Sequence, residues 1–263
     1  MPRRATIPAG RPCSPTTPSP HVRTSARPAR PACLPALPED PITAHADPSA
    51  GADRADHART AAWLYAEAFV PEDDVLLRAR ERAAHLGCPA VSPGVGALLA
   101  VLTAGVRARA VVEVGTGAGV ASVWLLRGMP DDGVLTTIDT ELAHLRAART
   151  AFAEARLAPG RTRAIPGRAA EVLPRLADGA YDLVLLGDAP AAADHVADAV
   201  RLLRPDGVLV VDGALRGGRV ADPARRDEVT TAVRALGRTL RSDDRLATTL
   251  VPVGDGVLLA ARR

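Results

Sequence analysis

The sequence predicts an α/β fold: a mostly parallel seven-stranded sheet, an antiparallel C-terminal hairpin and extra N-terminal helices. Three observations carry that expectation. Short, nearly continuous apolar runs such as Ala110-Val111-Val112-Glu113-Val114 are of the kind that form strands buried on both faces. From residue 110 onward such runs alternate with amphipathic stretches, the pattern of a parallel sheet with helical crossovers. The last two apolar runs are joined by Gly254-Asp255-Gly256, a hairpin turn signal.

Taken in order, residues 1–50 hold 12 of the 23 prolines and no periodic apolar run, so they cannot bury enough surface to offset their ordering entropy. Residues 1–57 are therefore expected to be a disordered Arg/Pro-rich leader, and 58–263 the folded domain. A first helix is expected from about 58, with Ala62, Leu64, Tyr65, Ala68 and Phe69 at helical spacing. Pro71-Glu72-Asp73-Asp74 places acids in the first turn of a second helix, which stops at Gly87. A third follows Ser92-Pro93, with Val95, Leu98, Leu99 and Leu102 along one face. Strands are predicted at Ala110–Gly115, Val134–Asp139, Thr162–Gly167, Tyr181–Gly187 and Gly207–Asp212, and for the hairpin at Thr248–Val253 and Val257–Ala261. The intervening helices fall at 118–129, 140–157, 168–177, 191–203 and 224–241.

Composition excludes several chemistries. The chain has no Lys, Asn or Gln, so there is no Schiff-base lysine, no P-loop lysine and no side-chain amide to ligate a metal. Six Arg against three acids in residues 1–50 account for the whole net charge of +3, and the rest has 27 of each. With a neutral body and 2% aromatic residues, nucleic-acid binding is not expected. No window reaches 18 uncharged apolar residues, so no membrane span is expected and a cytoplasmic location is. Cys13, Cys33 and Cys88 form no CxxC or Cys/His cluster, so neither zinc nor a disulfide framework is indicated.

The chemistry-bearing motif follows the first strand: Glu113-Val114-Gly115-Thr116-Gly117-Ala118-Gly119. Glycines there let backbone approach a ligand, and the next helix offers unpaired N–H groups. A dinucleotide fingerprint starting at Gly115 needs glycine at 120 and finds Val120, whereas E-x-G-x-G-x-G matches at all four positions. Asp139 closes the second strand 20 residues after Gly119, and a carboxylate there can accept from two vicinal hydroxyls.

That spacing resembles the first motif of class I S-adenosylmethionine-dependent methyltransferases. Residues from about 60 to 262 resemble the branch that includes catechol and caffeoyl-coenzyme A O-methyltransferases, with matching strings at 71–87, 91–99, 111–139, 181–186, 202–223 and 250–263. The resemblance implies a Rossmann-like fold, S-adenosylmethionine as cofactor, methyl transfer to a hydroxyl of a small molecule, and a homodimer. The cofactor residues it implies are Val91, Glu113, Gly115, Thr116, Gly117, Gly119, Asp139 and Thr140, with the family's serine falling at Ala121 and Ser122 one step along.

The chain departs from the family at its metal. Members ending the fourth strand F-I-D-A-D-K and the fifth D-N bind Mg²⁺ through the first Asp of one phrase and both residues of the other. Here the phrases read Leu185-Leu186-Gly187-Asp188-Ala189-Pro190 and Val211-Asp212-Gly213, which leaves one of three ligands in place and no lysine base. A divalent metal is therefore doubtful and no metal ligand is assigned. Asp188 and Asp212, at the carboxyl ends of their strands, are the catalytic candidates. Arg168 replaces an acid expected near the adenine, and His195 is the one body histidine expected near the site. The eroded phrases also leave open a protein that binds the cofactor with reduced or lost catalysis.

Overall fold

The computed structural model describes residues 48–263. Three helices come first: α1 (Pro48–Glu67), α2 (Asp74–His85) and α3 (Pro93–Gly105). The helix α1 begins ten residues before the expected boundary at 58, inside the stretch assigned to the leader; residues 1–47 of that stretch, with Cys13 and Cys33, lie outside the described residues. Both following start signals are real caps. Asp73 accepts from the Leu76 amide at 3.2 Å and Ser92 from the Val95 amide at 3.2 Å, with Pro93 in the first turn where its missing N–H costs nothing.

The strands are β1 (Ala110–Val114), β2 (Val134–Asp139), β3 (Thr162–Pro166), β4 (Tyr181–Leu186), β5 (Leu203–Asp212), β6 (Leu246–Val251) and β7 (Val257–Arg262). They form one sheet in the order β3-β2-β1-β4-β5-β7-β6, parallel from β3 to β5 and antiparallel through β7 and β6. The crossovers carry α4 (Val120–Gly128), α5 (Leu142–Glu154), α6 (Ala169–Val172), α7 (Ala189–Ala192), α8 (Val196–Leu202) and α9 (Glu228–Arg241). Several expectations differ in detail. The stretch 168–177 holds only the four-residue α6 and a 3₁₀ turn at Leu173–Arg175, where Pro174 cannot continue the helix, and α9 starts at Glu228 rather than 224. The stretch 191–203 is not one helix but α7 and α8, parted at Ala193–His195. The strand β5 starts at Leu203 rather than Gly207, running through Pro205 with a register irregularity against β4.

Alternate residues of the strands feed two cores. Val111, Leu135, Leu183, Leu185 and Val210 pack under α2–α5, whereas Val112, Ile138, Val184, Leu186 and Val211 pack under α8 and α9. At the bottom of the sheet, Asp182 ties strand ends together. Its Oδ2 accepts from the Arg109 and Ala110 amides at 2.7 and 2.8 Å, and its Oδ1 from Arg204 at 2.6 Å.

The register sets the site at the top. Val114, Ile138, Leu186 and Val211 are neighbours in one row across four parallel strands. The next row is therefore Gly115, Asp139, Gly187 and Asp212, at the carboxyl edge. Here β1 sends its crossover toward β2 and β4 sends its own toward β5, the switch point where open α/β sheets bind ligands.

Candidate functional site

Above that row lie two adjoining chambers that share Pro89, Gly115, Gly117 and Gly187. The larger, of about 540 Å³, reaches over β2 to Asp139, Thr140, His144, Arg168, Asp188 and His195. The smaller, of about 70 Å³, is bounded by Val91, Thr116, Ala121 and Asp212.

Bare backbone makes the floor. Gly115, Gly117 and Gly119 have φ of 92°, 51° and 87°, a region that side chains rarely adopt. A Cβ on Gly119 would lie 3.0 Å from the Ala148 Cα and 3.3 Å from Phe152, so this glycine lets α4 start hard against α5. It lines neither chamber: among the predicted cofactor glycines, Gly119 is a packing residue and Gly115 and Gly117 face the cleft. No side chain caps α4, so its first amides remain free beside the glycine turn.

Glu113 also stands behind the chambers. It is fully buried, and its Oε2 accepts from the hydroxyls of Ser122 and of Thr137, the latter at 2.6 Å. Thr137 Oγ1 is in turn 2.6 Å from that of Thr116, which reaches the smaller chamber. Burial pushes the Glu113 carboxyl up to about 7; the two hydroxyls oppose that rise and the Asp139 charge adds to it. Ser122 thus points into the core against Glu113 while Ala121 faces the cleft.

Asp139 is held by backbone. Its Oδ2 accepts from the Gly117 amide and its Oδ1 from the Glu141 amide, each at 2.9 Å. His144, in the first turn of α5, places Nδ1 3.2 Å from both oxygens. From sequence His195 is the one histidine expected near the site; both His195 and His144 line the larger chamber. The signal for His144 was present in its position, five residues past the strand-ending acid and on the cleft side of the helix that follows.

The strand ends separate the two catalytic candidates. Asp212 follows Val210 in alternation onto the α2–α5 face and bounds the smaller chamber, whereas Asp188 lies one residue past Gly187 and bounds the larger. Burial lifts the Asp212 carboxyl to about 6, and the carboxylates of Asp255, Glu67 and Asp188 add to that rise. Glu67, at the end of α1, accepts from the Gly94 amide at 3.1 Å and the Gly254 amide at 2.5 Å, clasping α1 to α3 and to the β6–β7 turn. Glu67 and Asp255 are not among the predicted site residues, because only the folded chain brings α1 and the hairpin turn within electrostatic reach of Asp212.

The bare floor and backbone-held acid fit an adenosyl ligand: the glycine turn admits an extended chain and Asp139 can face a ribose diol. The same row does not fit Mg²⁺. Gly187 and Gly213 bring no donor, Asp188 faces the other side, and among the described residues no group of three or more His, Cys, Asp or Glu is placed to hold a metal ion. Among the same residues, no helix is long and apolar enough to cross a membrane.

Comparison with known proteins agrees with this geometry. A family model described as O-methyltransferase matches residues 67–263. A Mycolicibacterium vanbaalenii protein bearing an O-methyltransferase name is 53% identical over 225 residues, 85% of this chain and 98% of its own length. A Mycobacterium tuberculosis protein bearing the same kind of name is 56% identical over 201 residues, 76% of this chain and 90% of its own. Among solved structures, the O-methyltransferase TomG of Streptomyces achromogenes, involved in tomaymycin synthesis and solved with S-adenosylmethionine, is 32% identical. It superposes with a TM-score of 0.68, covering 76% of this chain and 94% of that one.

Proposed function

From the premise that the chain belongs to the O-methyltransferase family, we propose that the joined chambers hold S-adenosylmethionine and serve methyl transfer to a hydroxyl of a small molecule. The observation that carries the assignment is the row Gly115, Asp139, Gly187, Asp212, which sets a bare glycine floor between two half-buried acids, one for the ribose and one toward the acceptor. Bound there, the cofactor supplies a sulfonium methyl. Gly115, Gly117 and the free amides of α4 receive its amino-acid end, with Thr116, Val91 and Ala121 walling the smaller chamber. Asp139 and Thr140 face the ribose, and Arg168 stands at the rim beside the purine end.

Asp212 is the acid closest to where an acceptor hydroxyl must lie, at the β5 end of the smaller chamber, and in its ionised form it can take the hydroxyl proton. Asp188, exposed on the opposite side, borders the larger chamber and adds its charge to the rise at Asp212. No step depends on a divalent metal. Much of the rate in such a displacement comes from holding nucleophile and methyl near contact distance, which a walled chamber supplies.

A homodimer belongs to the same proposal. Residues 53–66 of α1 are exposed in the single chain, with Trp63, Leu64 and Tyr65 among them and Phe69 beyond, a surface suited to cover by a second copy. Light scattering of the full chain tests this by its mass.

The function is tested by methyl transfer from labelled S-adenosylmethionine to a panel of phenols and other hydroxylated small molecules. Product from at least one acceptor, lost in Asp212→Ala, supports the assignment. Cofactor binding without turnover across the panel supports instead a binding protein whose catalysis has lapsed, the reading that Gly187, Pro190 and Gly213 favour.

A further inference from the structure

The cleft, read as a cofactor site, contains a contact which that reading alone does not require. Asp139 offers about four lone-pair positions. One on each oxygen is taken by a backbone amide, Gly117 on Oδ2 and Glu141 on Oδ1. The remaining pair, one on each oxygen, is faced by His144 Nδ1 at 3.2 Å from both. A vicinal diol donating to both oxygens needs that same pair. The two occupants therefore compete for the same acceptor positions, and both side chains reach the chamber, that of Asp139 9% exposed and that of His144 19%.

We propose that His144 is a place-holder in the ribose subsite, occupying Asp139 in competition with the ribose diol and swinging off it when an adenosyl ligand binds. Three features make the exchange feasible. His144 sits in the first turn of α5 and borders the chamber of about 540 Å³, so side-chain rotation alone can carry the ring into open space. Asp139 keeps its orientation without the ring, because two backbone amides hold it. The imidazole has no hydrogen-bond partner other than Asp139 among the described residues, so leaving strands nothing else. His144 is thus a residue that sets affinity rather than one that builds the site: the competing bond reduces the fraction of protein ready to bind.

The proposal rests on the cofactor reading of the cleft, and the test separates the two. Calorimetry is run on the full chain with S-adenosylhomocysteine and with its 2′,3′-dideoxy analogue, for wild type and His144→Ala. Alanine suits a helix and removes only this contact, so the variant keeps its fold, which thermal melting verifies. The expected result is tighter binding of S-adenosylhomocysteine by the variant, by about 5-fold, with no gain for the dideoxy analogue. Unchanged or weaker binding by the variant, or an equal gain for both ligands, overturns the place-holder. Wild type that binds neither ligand overturns the cofactor reading itself.

Discussion

Glu113→Gln turns the buried network behind the glycine turn into a measurable pH dependence. The carboxyl is pushed up to about 7 from an ordinary 4.5, first by burial and then by the Asp139 charge, against the bonds from Ser122 and Thr137. Between pH 4.5 and about 7 the folded chain keeps a proton that the unfolded chain releases, so stability falls as pH rises through that window and levels off above it. The difference between 4.5 and about 7, at about 1.36 kcal/mol per pH decade, is about 3 kcal/mol. Glutamine has the same shape, stays neutral and keeps an acceptor for the two hydroxyls. Its amide nitrogen falls where Glu113 Oε1 has no partner, at a cost of about 1 kcal/mol. Urea unfolding at pH 5 to 8 should show the variant slightly less stable at pH 5 and more stable by about 2 kcal/mol at pH 8. Asp212, lifted to about 6, adds its own decline to both proteins and cancels in the difference. Parallel stability curves for the two proteins would refute a raised Glu113 carboxyl.

Three further outcomes follow from other parts of the structure. Gly119→Ala forces a side chain into a φ of 87° with its Cβ 3.0 Å from Ala148 Cα, and should cost about 2–4 kcal/mol in urea unfolding. Asp182→Ala orphans the Arg109 and Ala110 amides and removes the ion pair with Arg204, and should lower stability by about 3 kcal/mol while leaving cofactor affinity unchanged by calorimetry. Because Gly187 and Gly213 carry no donor, methyl transfer should persist within about 2-fold in EDTA; abolition by EDTA with rescue by Mg²⁺ would show a metal site built some other way.

The sheet was legible because buried parallel strands leave an uninterrupted apolar signature: β2 was read to its exact ends, and β1 and β4 to within one residue. Ends set by tertiary contact were less so. The sequence puts Leu203 at the end of a helix and starts the strand at Gly207, yet pairing of Leu203 with Tyr181 draws 203–206 into β5. The α7–α8 break leaves the apolar pattern nearly continuous across 191–203. In the site, Gly115, Gly117 and Asp139 were legible through spacing alone. Glu67, Asp255 and the His144 contact were not legible, because each depends on an approach between elements whose spacing in sequence has no bearing on it. Glu113 and Gly119 illustrate a different limit: the motif names them beside the ligand residues, and only the packing shows that they support the turn from behind.

Whether the cleft over Asp139 binds the adenosyl cofactor is decided by calorimetric titration of S-adenosylhomocysteine into wild type and Asp139→Ala. Removing the carboxylate deletes the acceptor of the ribose diol, so wild type should bind clearly and the variant should lose about 10- to 100-fold in affinity, with cooperative unfolding retained. Equal affinity in the two proteins, or no binding by wild type, would contradict a cofactor site over Asp139.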